Sequence, residues 1–215
     1  MKRRLFSTAM MGVTAGLGQS AVWAQQAFRS GKDYITLDRP VASESGSGKI
    51  EVLEFFWYSC PHCNTFEPAF EQWAKKAASD IVVRRIPVAF RDDFVPQQRL
   101  YYALEAMKLV DKMHIRVFNA IHVEKQLLNS DASVLDWAAK QGLDKVKFAE
   151  AYRSFGVATK AKRAVQLQND FKIEGVPSLG VAGRYYIDGT LAGSMTRALQ
   201  VADALIIQTR QRQRR

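Results

Sequence analysis

The chain has 215 residues, 47% hydrophobic and 24% charged, with two cysteines and a formal charge of +10. With a removable leader set aside, about 190 residues remain, which suits one domain carrying an insertion better than two compact domains. No internal repeat is present, and losing Lys2, Arg3 and Arg4 with the leader lowers the charge to +7, four units of which come from Arg210, Arg212, Arg214 and Arg215. Export argues against nucleic acid as the partner of that basic excess, and residues 210–215 read as a frayed, solvated tail.

Met1-Lys2-Arg3-Arg4 precedes a stretch of apolar and small residues from Leu5 to Trp23, and Val22-Trp23-Ala24 matches a small-x-small cleavage pattern. Residues 1–24 therefore read as a cleaved secretory signal peptide. An uncleaved anchor fits less well, because Gly12, Gly16, Gly18, Gln19 and Ser20 dilute the hydrophobicity of a short apolar core. The expectation is a soluble exported protein in an oxidising compartment.

Residues 25–30 carry no pattern, Tyr34 to Leu37 suits a short strand, and the serine-glycine run 42–48 is a flexible connection. Ile50 to Tyr58 is largely apolar on both parities, with Glu54 among the exceptions, so it reads as a central strand covered on both faces. From Pro61 to Ala78, Phe66, Phe70, Trp73 and Ala77 recur at helical spacing, with Glu71 and Lys75 paired on the outer side. Pro68 lies inside this helix and predicts a kink. Ile81 to Ala89 supplies the next strand and completes a β-α-β unit with a parallel pair.

Pro96 to Phe171 contains helical stripes and no convincing strand, which defines a helical insertion. Asp131-Ala132-Ser133 caps a helix through Ala139, Gly142 ends it, Asp144 caps the next, and a last helix runs from Val157 to Phe171. Ser178 to Val181 and Arg184 to Ile187 flank Ala182-Gly183 as a hairpin. A final helix from near Thr196 buries Leu199, Ala202, Leu205 and Ile206. The fold class is α/β, divided as 25–92, an inserted helical segment 93–168, a return to the sheet over 169–209, and the basic tail.

The two cysteines stand together as Cys60-Pro61-His62-Cys63, where the apolar strand meets the amphipathic helix. Residues three apart on a helical turn are close enough to form a disulfide. At that turn Cys60 is expected to be exposed beside unpaired backbone N–H groups and the positive dipole end, and Cys63 to lie buried beneath it. Cys60 is then the attacked sulfur and Cys63 the resolving one. His62, as donor or cation, favours the Cys60 thiolate, which stabilises the reduced form and strengthens the disulfide as an oxidant. Pro61 suits the first helical position, with a preset φ and no N–H to waste.

Other readings stay open from the residues alone. The pair could be half a structural zinc site, although His114 and His122 sit eight apart in the insertion, where surface or satisfied helical positions explain them. A structural disulfide closing so short a loop removes little chain entropy. Glu54 either forms a structural ion pair with Arg85 on the neighbouring strand or moves protons to and from Cys63.

Taken together, the leader, Val52-Leu53-Glu54-Phe55-Phe56, Cys60-Pro61-His62-Cys63, the helical insertion and Gly175-Val176-Pro177 before a hairpin resemble the DsbA family of periplasmic thiol:disulfide oxidoreductases. The resemblance spans essentially the whole mature chain. It implies a thioredoxin fold with an inserted all-helical domain, and a cis bond at Pro177 beside the disulfide. It also implies that the Val176 backbone pairs with an extended substrate. The implied activity is donation of the Cys60–Cys63 disulfide to reduced exported polypeptides through a mixed disulfide, with Cys60, Cys63, His62, Pro61 and Glu54 as catalytic residues. The implied reoxidant is a quinone-linked membrane partner of the DsbB type, with no metal and no soluble cofactor; a monomer is expected. DsbA is itself a known instance of a depressed cysteine pKa and an oxidising disulfide, so that expectation comes from the family. The rival within this chemistry is an isomerase of the DsbC or DsbG type, which has an N-terminal dimerisation domain and usually threonine before the cis-proline. Here Val176 holds that place and too few residues precede Ile50 for the domain. A non-catalytic chaperone or a zinc-binding module is the alternative from another class. The chain departs from the most familiar family pattern at Trp57-Tyr58-Ser59 and in its arginine tail.

Overall fold

The architecture follows from a computed structural model that describes residues 28–214. The predicted signal peptide and Arg215 lie outside the described residues. A five-stranded sheet runs in the order β1 (Ile35–Thr36), β5 (Tyr185–Asp188), β4 (Ser178–Val181), β2 (Ile50–Phe56) and β3 (Ile81–Pro87). Its centre is β2, in which all seven residues are buried, as the two-parity apolar run predicts. β2 pairs in parallel with β3 and antiparallel with β4. β4 continues antiparallel into β5, and the short β1 closes that edge.

α1 (Pro61–Lys75) makes the crossover between β2 and β3 and continues through Pro68. It stops three residues short of the predicted end because the chain tightens there, with the Ala77 N–H donating to the Ala74 carbonyl and the Ile81 N–H to that of Ala78. Between β3 and β4 lie a 3₁₀ turn (Asp92–Phe94) and five helices, α2 (Val95–Ala106), α3 (Val110–His122), α4 (Asp131–Lys140), α5 (Lys145–Arg153) and α6 (Phe155–Asp170). Two caps differ from expectation. Ser130, not the 131–133 triplet, caps α4 in a reciprocal box with Ser133, which leaves Asp131 free to accept from the Tyr152 hydroxyl at 2.7 Å. Ser154 accepts from the Val157 N–H and starts α6 two residues before Val157. Asp144 caps α5 as expected.

The β4–β5 hairpin turns through Ala182 (φ 52°) and Gly183 (φ 63°), a two-residue left-handed turn that matches strand twist. A Cβ at Gly183 would collide with the Val41 carbonyl, since the Val41 N–H donates to the Gly183 carbonyl at 2.7 Å. A short α7 (Gly189–Ala192) leads to α8 (Met195–Gln213). The arginine tail is corrected here. α8 carries on through Arg210 and Arg212; Arg210 grips Asp80 with two bonds of 2.6 and 2.7 Å, and Arg212 donates to the Tyr185 hydroxyl at 2.7 Å. Thr209 is buried one turn beyond Leu205, so the apolar stripe extends further than Ile206, and cations in the last turn suit the helix dipole.

Alternate residues of the sheet feed two cores. Ile50, Val52, Leu179, Val181 and Ile187 pack with Phe66 and Phe70 of α1 and Leu199 and Leu205 of α8. Leu53, Phe55 and Ile86 pack toward the insertion, with Phe118, Trp137, Phe148 and Phe171. The period-2 alternation of β2 gives Glu54 the parity of Ile50 and Val52, the α1 side of the sheet.

Candidate active site

Cys60 is the N-cap residue of α1, with extended backbone (φ −79°, ψ 118°), and Pro61 opens the helix. Its side chain is more enclosed than the sequence suggests: Cys60 is only 8% exposed and its Sγ–H donates to the Val176 carbonyl at 3.3 Å. The Val176-Pro177 loop, which sequence spacing places far away, is what covers it. The peptide bond between these two residues is cis, as the resemblance implies, and the Ser178 hydroxyl donates to the Gly175 carbonyl at 2.6 Å, tying the loop to itself. His62 is exposed and borders a groove of about 330 Å³ lined also by Val176, Pro177, Thr190 and Met195. Cys63 is 1% exposed beneath the turn.

Both cysteines are thiols here, and their acidities are driven apart. A hydrogen bond from the Cys63 thiol is the main cause lowering Cys60 from 9.0 to about 6; the Cys63 and His62 backbone N–H groups and the charge of His62 add to it, against the cost of burial. Burial pushes Cys63 far upward, and the Cys60 sulfur and the Glu54 carboxylate push it further. This is the N-terminal-helix stabilisation of a thiolate, with the inner thiol as its main donor.

Beneath the helix lies a charge network that the sequence shows only in part. Glu54 is 1% exposed and stands in register with Arg85, and Arg85 Nε lies 3.2 Å from its carboxylate. That contact lacks hydrogen-bond alignment. The aligned bonds of Arg85 go instead to Glu67 and Glu71 of α1, both at 2.6 Å. Burial, then the charge of Glu67, pushes Glu54 up to about 8, and Arg85 offsets this incompletely. The simple Glu54–Arg85 pair therefore becomes a shared site in which Glu54 is the carboxylate left protonatable near neutral pH. Glu71 also meets Lys75 at 3.1 Å on the outer side, as its spacing predicts.

The histidines of α3 are helical residues turned toward Tyr58, and of the expected satisfied positions His114 falls short, since its buried Nε2 has no aligned hydrogen-bond partner. His114, buried at 5% exposure, has Nδ1 2.8 Å from the Tyr58 hydroxyl and Nε2 3.3 Å from Glu67, and burial lowers its pKa. His122 Nε2 lies 2.8 Å from the Tyr58 carbonyl. Glu67, His114, Gln97 and Ser59 all belong to the site and escape sequence reasoning. For Glu67 a signal existed, since it sits one turn below Cys63 on the face with Phe66 and Phe70; for Gln97, a polar residue on a helix, none did. Among the described residues no group of three or more His, Cys, Asp or Glu side chains converges to hold a metal ion, and no helix is long and apolar enough to cross a membrane.

One sulfur of the pair ionises near neutral pH and the other does not, beside a main-chain carbonyl and a surface groove. Chemistry of this kind is thiol–disulfide exchange, and the class of protein is a thiol:disulfide oxidoreductase. The family model described as a DSBA-like thioredoxin domain matches residues 51–200, and the chain belongs to that family. It is 41% identical over 208 residues to the thiol:disulfide interchange protein DsbA of Burkholderia cepacia, covering 96% of this chain and 97% of that one. Identity to the Pseudomonas aeruginosa protein of the same name is 36% over 204 residues, 95% of each chain. The crystal structure of Pseudomonas aeruginosa DsbA superposes with a TM-score of 0.83 at 36% identity, over 87% of this chain and 97% of that one. Reduced DsbA1 from Neisseria meningitidis gives 0.77 at 28% identity, over 88% and 98%. The fold is accordingly a thioredoxin fold with a helical insert.

Proposed function

We propose that this chain is a periplasmic disulfide donor to reduced, newly exported polypeptides, released to the periplasm by cleavage of its signal peptide. The observation that carries the reading is the split in acidity between Cys60 and Cys63 across one helical turn. A substrate thiolate attacks Cys60 Sγ, the Cys60–Cys63 bond breaks, and the electron pair passes to Cys63, which takes up a proton. A second substrate thiolate then attacks the substrate sulfur of the mixed disulfide and releases Cys60 as a thiolate. Two substrate thiols become one disulfide, and the enzyme disulfide becomes a dithiol. Because the departing Cys60 thiolate is stable, the balance favours donation.

Pro61 and His62 serve the thiolate, the first by presetting the helix start and the second by its N–H and charge. The Val176 main chain pairs with an extended substrate and Pro177 shapes that loop. Glu54, able to hold or release a proton near neutral pH, exchanges protons with Cys63 as the sulfur changes state. The cycle closes by reoxidation at a quinone-linked membrane partner of the DsbB type, and the enzyme acts as a monomer. The test is trapping. Expressed with its leader, a Cys63→Ala variant should accumulate mixed disulfides with exported polypeptides, formed as its Cys60 thiolate attacks their disulfides and expels a substrate thiolate in the exchange run backwards, and Cys60→Ala should give none. Adducts carried by Cys63, or no adducts with either variant, would contradict the reading.

A further inference from the structure

The chain passes from β2 into α1 through a turn, Trp57–Cys60, closed by the Cys60 N–H donating to the Trp57 carbonyl at 3.0 Å. The central peptide of that turn, between Tyr58 and Ser59, is held at both of its polar atoms by side chains of the inserted helices. Its carbonyl accepts from His122 Nε2–H of α3 at 2.8 Å. Its N–H donates to Gln97 Oε1 of α2 at 3.1 Å. A carbonyl can only accept, so the His122 proton is assigned to Nε2. Both amide hydrogens of Gln97 are used as well, on Ser59 Oγ at 2.6 Å and the Leu127 carbonyl at 3.0 Å, and the residue is 1% exposed.

Rotation of the central peptide is the motion by which one turn type becomes another. It changes ψ of Tyr58 and φ of Ser59, and whatever part of that change the turn does not absorb passes to the next residue, Cys60. We propose that Gln97 and His122 are positioning residues: by locking the Tyr58–Ser59 peptide from the insertion they fix how Cys60 is presented at the start of α1, and so set the oxidising strength of the disulfide. Neither touches the reacting sulfurs. The N–H groups of His62 and Cys63 and the Cys63 thiol must stay aimed at Cys60 Sγ to hold its thiolate. A turn free to rotate spreads Cys60 over several orientations, weakens those bonds, and leaves the reduced form less favoured. The proposal rests on the disulfide-donor reading above, and it gives the inserted helices a part in the chemistry.

The experiment compares Gln97→Leu, His122→Phe and His122→Gln with the wild-type chain. Equilibrium with a glutathione series and titration of the Cys60 thiolate by its ultraviolet absorbance are read alongside thermal unfolding of both redox forms. Gln97→Leu and His122→Phe should each lower the oxidising equilibrium constant about tenfold, about 30 mV for this two-electron couple, with Cys60 titrating at higher pH. His122→Gln, which keeps a donor, should restore most of the loss. If Gln97→Leu does not fold, His122→Phe against His122→Gln decides the matter. Variants that lose stability equally in both redox forms while the equilibrium constant and the Cys60 titration stay put would overturn the proposal. A wild-type chain that does not exchange with glutathione would instead overturn the donor reading, and this proposal with it.

Discussion

Cys60 and Cys63 share one turn yet titrate in opposite directions, because one sulfur collects donors and the other burial and negative neighbours. That asymmetry has a signature in stability. A thiol whose pKa falls from 9.0 to about 6 on folding binds fewer protons folded than unfolded between those values, so the reduced protein gains stability as pH rises from about 6 to 9 and loses it as pH falls through 6. Glu54 works the other way. Its rise from 4.5 to about 8 means that stability is lost as pH rises through that window. The disulfide form has no Cys60 proton to bind, so the difference in unfolding free energy between reduced and oxidised protein carries the Cys60 contribution and should widen from pH 6 to 9; a flat difference would contradict the acid Cys60. Glu54→Gln should flatten that alkaline loss and alter the pH profile of Cys63 reactivity. An unchanged profile would leave Glu54 a structural residue only.

At the scale of elements, the sequence marks most boundaries through local chemistry. Asp144 and the Ala182-Gly183 turn are read directly, because an N-cap carboxylate and a two-residue left-handed turn depend on neighbours in the chain. The misplaced α4 start has the same origin: Ser130 and Asp131 are both good caps, and the choice between them is made by Tyr152 of α5, which claims Asp131. Gly183 offers a test of the hairpin. A side chain there meets both an unfavourable φ and the Val41 carbonyl, so Gly183→Ala should cost at least about 1–2 kcal/mol. For a domain of this size that lowers Tm by several degrees, roughly 2–4 °C per kcal/mol. A variant as stable as wild type would show that the turn rearranges freely. Redox chemistry should be unaffected, since this hairpin end lies away from Cys60.

Across the whole molecule, the division between what was legible and what was not follows distance along the chain. The strand, the two cysteines, the helix start and the final hairpin carry their own signals, and their assembly into one sheet follows from β-α-β logic. The clamp by Gln97, the bonds from His114 and His122 to Tyr58, and the cover of Cys60 by Val176 join residues dozens of positions apart through side chains whose type allows many partners. The same holds for Arg210, which looks like part of a basic tail until Asp80 is placed beside it. The geometry that makes the Cys60–Cys63 disulfide a donor is checked by the equilibrium of the full mature protein with reduced and oxidised glutathione. It predicts a reduction potential well above that of the glutathione couple, so that the protein is reduced even in buffers where glutathione is mostly oxidised. A potential at or below the glutathione couple would contradict it.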